Sequence, residues 1–149
     1  MTAQPPLPGG LIDGSRHLYA VRAYYEDTDL SGIVYHANYL RWFERARSDL
    51  LRLLEIDQRS AVEAGEGAYA VADLAIRYVR PARLDDTVVI DTRCVELGAA
   101  SVKIRQRAER EGELIAEQTA RVGFIDPAGR PRRQPAAWRA AFAQFAQRT

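Results

Sequence analysis

The sequence predicts an α+β domain in which one long helix lies against an antiparallel sheet of about five strands. Three observations carry that prediction. Apolar residues recur at helical spacing through residues 38–54. Residues 100–109 and 114–126 alternate apolar and polar side chains with a period of two. The breaks between the later strands are short and contain glycine, which suits antiparallel neighbours and leaves no room for parallel crossovers.

The elements follow in chain order. Residues 1–15 hold Pro5, Pro6, Pro8, Gly9 and Gly10 and read as a flexible N-terminal arm, ahead of a single domain over 16–149. Residues 18–25 are rich in aromatic and branched side chains, as a first strand would be. A polar, acidic stretch, Glu26 to Gly32, then turns the chain, and Ile33-Val34-Tyr35 leads to the helix. In the helix Tyr39, Phe43, Ala46, Leu50 and Leu53 or Leu54 form the apolar stripe, and Arg41, Arg45, Asp49 and Arg52 fall mostly opposite. Leu40 and Trp42 widen the stripe and predict deep burial, and Asn38 suits the N-cap. Strands are expected at 69–80, ended by Pro81, and at 87–97, followed by the two alternating segments with Gly98-Ala99 and Glu111-Gly112-Glu113 as turns. Pro135 suits the first position of a short last helix, at about 135–147, with Trp138, Phe142 and Phe145 on one stripe.

Composition excludes several classes. A net charge of +1 gives no basic field for nucleic acid. Cys94 is the single cysteine, so no intramolecular disulfide forms, and His17 and His36 are the only histidines, with no metal-ligand spacing. No metal or cofactor is therefore expected. No apolar run reaches the roughly 20 residues of a membrane helix, and the start lacks the pattern of a signal peptide, so a cytoplasmic protein is expected. Lys103 is the only lysine; all other basic side chains are arginine, a bias of base composition before it is one of phosphate recognition.

The chemistry concentrates in Tyr24-Tyr25-Glu26-Asp27-Thr28-Asp29-Leu30-Ser31-Gly32-Ile33-Val34-Tyr35-His36-Ala37-Asn38-Tyr39. Three acids within four residues precede a helix start. The free N–H groups and dipole of a helix N-terminus stabilise an ionised carboxylate and can hold a developing oxyanion. A carboxylate beside such a terminus is a minimal acyl-transfer site without a serine–histidine pair.

This run resembles the signature of the 4-hydroxybenzoyl-CoA thioesterase family, which has the hotdog fold, and more narrowly the acyl-CoA thioesterases associated with the Tol-Pal cell-envelope system of Gram-negative bacteria. The resemblance spans about residues 18–135 and includes Arg80-Pro81-Ala82-Arg83-Leu84-Asp85-Asp86. It implies a curved antiparallel sheet wrapped around the long helix, and edge-to-edge dimers, often paired into homotetramers, with sites at the interface. It implies that Asp29 is the catalytic carboxylate, as nucleophile or as general base, and that the backbone N–H of His36 binds the thioester carbonyl. Gly32, Tyr35, Asn38 and Tyr39 are the candidate substrate-binding residues around them. Asp27 and Glu26 read as structural. Arg77, Arg80, Arg83 and Arg105 are candidates for the coenzyme A phosphates, each also readable as a solvated surface charge.

The implied function is hydrolysis of acyl-coenzyme A. A non-catalytic acyl-CoA-binding or cell-envelope scaffold protein is the alternative from another class, and acyl carrier protein is an alternative thiol carrier. A hotdog hydratase is disfavoured because the strand region holds no histidine for proton transfer at the β-carbon. The acyl chain is not legible in the residues.

Overall fold

A computed structural model describes residues 2–148. Its sheet has six strands: β1 (Leu11–Asp13), β2 (Arg16–Arg22), β3 (Ala68–Tyr78), β4 (Thr87–Leu97), β5 (Ser101–Arg110) and β6 (Glu113–Ile125). Helices are α1 (Asn38–Leu53), α2 (Gln58–Glu63) and α3 (Ala136–Gln147), and a 3-10 turn spans Tyr25–Asp27. The strand order is β1-β2-β4-β5-β6-β3, antiparallel throughout. This is the α+β arrangement of the hotdog expectation.

β4, β5 and β6 form a meander, as the short turns between them and the alternation of the last two suggested. Val102, Ile104 and Ala108 on β5 and Ala116, Ala120 and Phe124 on β6 turn to one buried face, and the charged residues between them turn to solvent. Glu111 (φ 52°) and Gly112 (φ 79°) make the two-residue hairpin turn, whose twist requires positive φ at both positions. β3 departs from the meander. It pairs with β6, not with its successor β4, and so occupies the far edge of the sheet. Residues 79–86 therefore run back across the sheet, beneath the start of α1.

α1 packs against the inner face. Tyr39, Trp42, Phe43 and Ala46 join Tyr19, Val21, Val88, Ile90, Ala108 and Ala116 in one cluster. Leu50 joins Ile56, Val102, Ile104, Phe142 and Phe145 in a second, which α3 closes. Burying each large side chain stabilises by about 1.5–3 kcal/mol. The deep burial expected from Trp42 is found at 2% exposure, whereas Leu40 stands at the boundary and Leu53 outside it, both on the solvent side of the stripe.

A polar seam lies under the helix. Gln106 Nε2 donates to the Phe43 carbonyl (2.8 Å) and to Thr92 Oγ1 (3.0 Å), and Arg47 donates to Gln106 Oε1 (2.9 Å). These bonds have fixed partners in a dry setting, so they set where α1 sits along the sheet. The position of the helix N-terminus follows from them.

Five local expectations need correction. Within the stretch expected to be a flexible arm, residues 11–13 pair with β2, and the Gly10 N–H donates to Asp49 Oδ2 (2.9 Å), because the turn at Gly14 lets the chain fold back. The first strand ends at Arg22, because Tyr25–Asp27 coils into the 3-10 turn. Ala37, not Asn38, is the N-cap of α1, and no side chain caps it; Asn38 lies inside the first turn. Pro135 likewise is the N-cap of α3, with ψ 135°, one residue before the position expected. α2, capped by the Asp57 side chain on the Ser60 N–H, lies in what read as loop.

Candidate active site

The acidic loop is built from backbone bonds outward. Thr28 pairs with Val34 and Ile33 with Arg83 as isolated antiparallel bridges. Between them the Asp29 N–H donates to the Ile33 carbonyl (3.0 Å) and the Gly32 N–H to the Asp29 carbonyl (3.0 Å). Gly32 closes this tight loop at φ 79°, in the left-handed region that glycine enters without a Cβ penalty. The returning residues 79–86 brace it: the Val34 N–H donates to the Ala82 carbonyl (2.8 Å), and the Ala82 N–H donates to Tyr39 Oη (3.3 Å).

Asp29 is exposed at the tip. Its Oδ1 accepts the Ser31 N–H (2.9 Å) and a short bond from the Ser31 hydroxyl. These two bonds, the hydroxyl first, hold its carboxyl below the ordinary carboxylate range, and His36 nearby adds to the effect. Asp27 has a different task. Its Oδ2 accepts the Tyr24 N–H (2.8 Å), and its Oδ1 accepts Nδ2 of the buried Asn38 (2.9 Å). Asp27 thus ties the loop to the first turn of α1, the structural role expected of it.

The start of α1 is open. The Tyr35 N–H donates to the Asp27 carbonyl and the Asn38 N–H to the Tyr35 carbonyl, both 2.9 Å. Among the described residues, neither the His36 nor the Ala37 N–H donates a hydrogen bond. No side-chain cap and no first-turn acid competes for them. Both lie at the positive end of the helix dipole. His36 is flanked by the Tyr35 ring, centroids 4.6 Å apart, and by the Tyr78 ring at 6.1 Å.

Of the sequence candidates, Asp29, Gly32, Tyr35 and His36 share this exposed rim. Asn38 and Tyr39 turn their side chains inward, to Asp27 and to the Ala82 N–H. Among the arginines, Arg77 and Arg105 are held by Glu117 and Arg80 by Glu113. Arg83, whose backbone pairs with Ile33, has no side-chain ion pair among the described residues. Two participants were not singled out in the sequence: Ser31, which is adjacent and visible in an Asp-x-Ser spacing, and Tyr78, whose hydroxyl donates to the His36 carbonyl at 2.6 Å from forty-two residues away. Tyr24, Tyr25, Leu30, Tyr35 and Leu84 leave an exposed apolar margin around the loop. No group of metal-ligating side chains occurs among the described residues.

Residues 31–117 match the Thioesterase superfamily. The match begins just after Asp29, so it bears on the loop and helix and not on the carboxylate itself. The acyl-CoA thioesterase YbgC of Haemophilus influenzae is 41% identical over 108 residues, covering 72% of this chain and 79% of that protein. The acyl-CoA thioester hydrolase YbgC of Escherichia coli is 39% identical over 110 residues, 73% of this chain and 81% of that one. Among solved structures, a probable thioesterase from Bartonella henselae superposes with a TM-score of 0.76 at 34% identity, over 80% of this chain and 99% of that chain.

Proposed function

The chain belongs to the Thioesterase superfamily, and on that premise we propose that it hydrolyses acyl-coenzyme A to the free acid and coenzyme A, with Asp29 as the reacting carboxylate. The observation that carries the proposal is the placement of an ionised, exposed carboxylate on a loop tied by Asp27–Asn38 to a helix start with two free N–H groups.

In this reading the thioester carbonyl oxygen accepts the His36 N–H, which stabilises the negative charge that grows there as the carbon becomes tetrahedral. Gly32 and Tyr35 flank the thioester from the loop and from the approach to α1. Asn38 and Tyr39 act from behind, by holding the loop and residues 79–86 in place. Two routes lead to products. Asp29 attacks the carbonyl carbon, coenzyme A leaves as thiolate, and water then cleaves the mixed anhydride. Alternatively, Asp29 takes a proton from a water that attacks directly. Both routes use the ionised carboxylate, the form that the Ser31 bonds favour. In either route the thiolate is a good leaving group, so the absence of a dedicated acid among the described neighbours is no obstacle.

The site is assigned to a homodimer joined along β3, with a tetramer as a dimer of dimers. β3 is an eleven-residue edge strand whose inner-face side chains Val71, Leu74 and Tyr78 are 45%, 40% and 44% exposed. Edges of that length and character need covering. No helix is long and apolar enough to cross a membrane among the described residues.

Thiol release from a panel of acyl-CoA esters, short aliphatic to long aliphatic to aromatic, tests the proposal. The wild type is expected to cleave some member, and Asp29→Asn to lose most of that rate while staying folded. A wild type inactive on every member, or an equally active variant, would overturn it; acyl-CoA binding without turnover would then favour the scaffold reading, and cleavage confined to acyl carrier protein would change the thiol carrier. Label found in Asp29 after a single turnover in heavy-oxygen water would establish the nucleophilic route, since general-base catalysis leaves none there.

A further inference from the structure

The His36 carbonyl belongs to the peptide unit whose N–H is that of Ala37. It lies one residue before the N-cap Ala37, outside the helical ladder. A carbonyl at that point ordinarily turns to water, and its peptide plane is free to rock. Here it accepts the Tyr78 hydroxyl at 2.6 Å. Tyr78 is the last residue of β3, so a rigid strand holds the far end of that bond. Its ring is fixed by edge contacts with His36 (6.1 Å) and with the buried Tyr39 (5.6 Å).

We propose that Tyr78 is a positioning residue for thioester cleavage, and that it makes the Ala37 N–H a second oxyanion donor beside that of His36. The argument has two parts. A hydrogen bond into a carbonyl draws electron density toward its oxygen and makes the N–H of the same peptide a stronger donor. The same bond fixes the plane of that peptide, so the donor stays aimed as charge develops, without reorganisation at that moment. The Ala37 N–H is free to act this way, since it makes no other hydrogen bond among the described residues. A purely structural role explains the ring contacts and leaves the hydroxyl bond to a loop carbonyl without purpose. The inference rests on the thioesterase reading above.

Tyr78→Phe keeps the ring and deletes the hydroxyl. The variant is expected to lose about tenfold in kcat, less than the roughly hundredfold or more that deleting an oxyanion donor costs, because the Ala37 N–H is weakened and not removed. KM, affinity for a non-hydrolysable acyl-CoA thioether and thermal midpoint should match wild type, because those reflect the ground state and the ring packing. An unchanged kcat would overturn the proposal. So would a kcat loss matched by weaker thioether binding or a lower thermal midpoint, since the hydroxyl would then be serving the fold. The backbone amide spectrum supplies a readout that does not need turnover. The Ala37 amide proton should shift upfield in Tyr78→Phe as its peptide loses polarisation, and an unmoved resonance would refute the coupling. Failure of the thioesterase reading is distinguishable: it shows as an inactive wild type or an active Asp29→Asn, whereas failure of this inference leaves the wild type active and Asp29→Asn inactive.

Discussion

Asp49→Ala should destabilise the protein far more than loss of a helix-surface acid usually does. His17 is fully buried, and its Nε2 lies 2.7 Å from Asp49 Oδ2, its only side-chain partner among the described residues. Its Nδ1 is buried with no hydrogen-bond partner among them. The same carboxylate oxygen accepts the Gly10 N–H at 2.9 Å. Removing the carboxylate strands a buried ring that is already half satisfied, at about 1–3 kcal/mol, and loses a hydrogen bond to a charged acceptor worth about 1.5–3 kcal/mol. Water reaches the half-buried Gly10 and returns part of the second cost, so about 3 kcal/mol is expected. Urea unfolding checks this, with Glu63→Ala on α2 as the exposed control. The midpoint should fall with the m-value unchanged. The double variant His17→Phe, Asp49→Leu should recover much of the loss, because exchanging both partners for apolar groups removes the stranded polar atom. The reasoning is refuted if Asp49→Ala costs no more than Glu63→Ala, or if the double variant is the sum of its singles.

Three further outcomes are expected. In Ser31→Ala the Asp29 carboxyl loses the two bonds' larger contributor and its pKa rises toward the ordinary value; because the proposed mechanism uses the ionised form, the acid limb of the kcat/KM profile should move to higher pH, and an unmoved limb would detach Ser31 from Asp29. Gly32→Ala should lower stability by about 1 kcal/mol and depress kcat, because φ 79° is strained for alanine even though its Cβ meets nothing within 4 Å; thermal melts with parallel rates check both. Leu74→Lys, on the inner face of the β3 edge, should shift sedimentation from dimer to monomer and reduce activity with it, whereas an active dimer would place the interface elsewhere.

The parts legible in the sequence are those whose cause is local. β5 and β6 were readable because each alternates and because Glu111-Gly112 permits only a tight hairpin, and β4 because its branched side chains mark a strand. α1 was readable because its stripe repeats through four turns. β1 was hidden because three residues are too short for a period to show, and its pairing depends on the turn at Gly14 and the Gly10–Asp49 bond. The path of β3 to the far edge was hidden because nothing inside residues 68–78 states which neighbour it will meet; that choice is made by the whole sheet. The same limit applies at the site. Asp29, Gly32 and His36 stood out in one contiguous run, and Ser31 was within it. Tyr78 and Ala82 reach the run only after β3 has crossed, so no spacing announces them. Asn38 shows a different limit: its residue type suits a cap, but Asp27 two turns of chain earlier offers its amide a better partner.

One protomer does not by itself make a good place for this chemistry. An oxyanion is best stabilised where water is excluded and dipoles are fixed. The dipoles are present: the start of α1 is held by Asp27–Asn38, by the seam through Gln106, and by Tyr78. The exclusion of water is not, since Asp29 and His36 are exposed and apolar side chains at Tyr25, Leu30, Tyr35 and Leu84 face outward around them. Exposed aromatic and aliphatic side chains are costly to leave wet unless something covers them. The strand that carries Tyr78 is also the open edge of the sheet, with Val71 and Leu74 bare along the same face. A partner laid along β3 would therefore do two things at one location: pair the edge, and supply the missing wall over a loop that one chain has already preorganised.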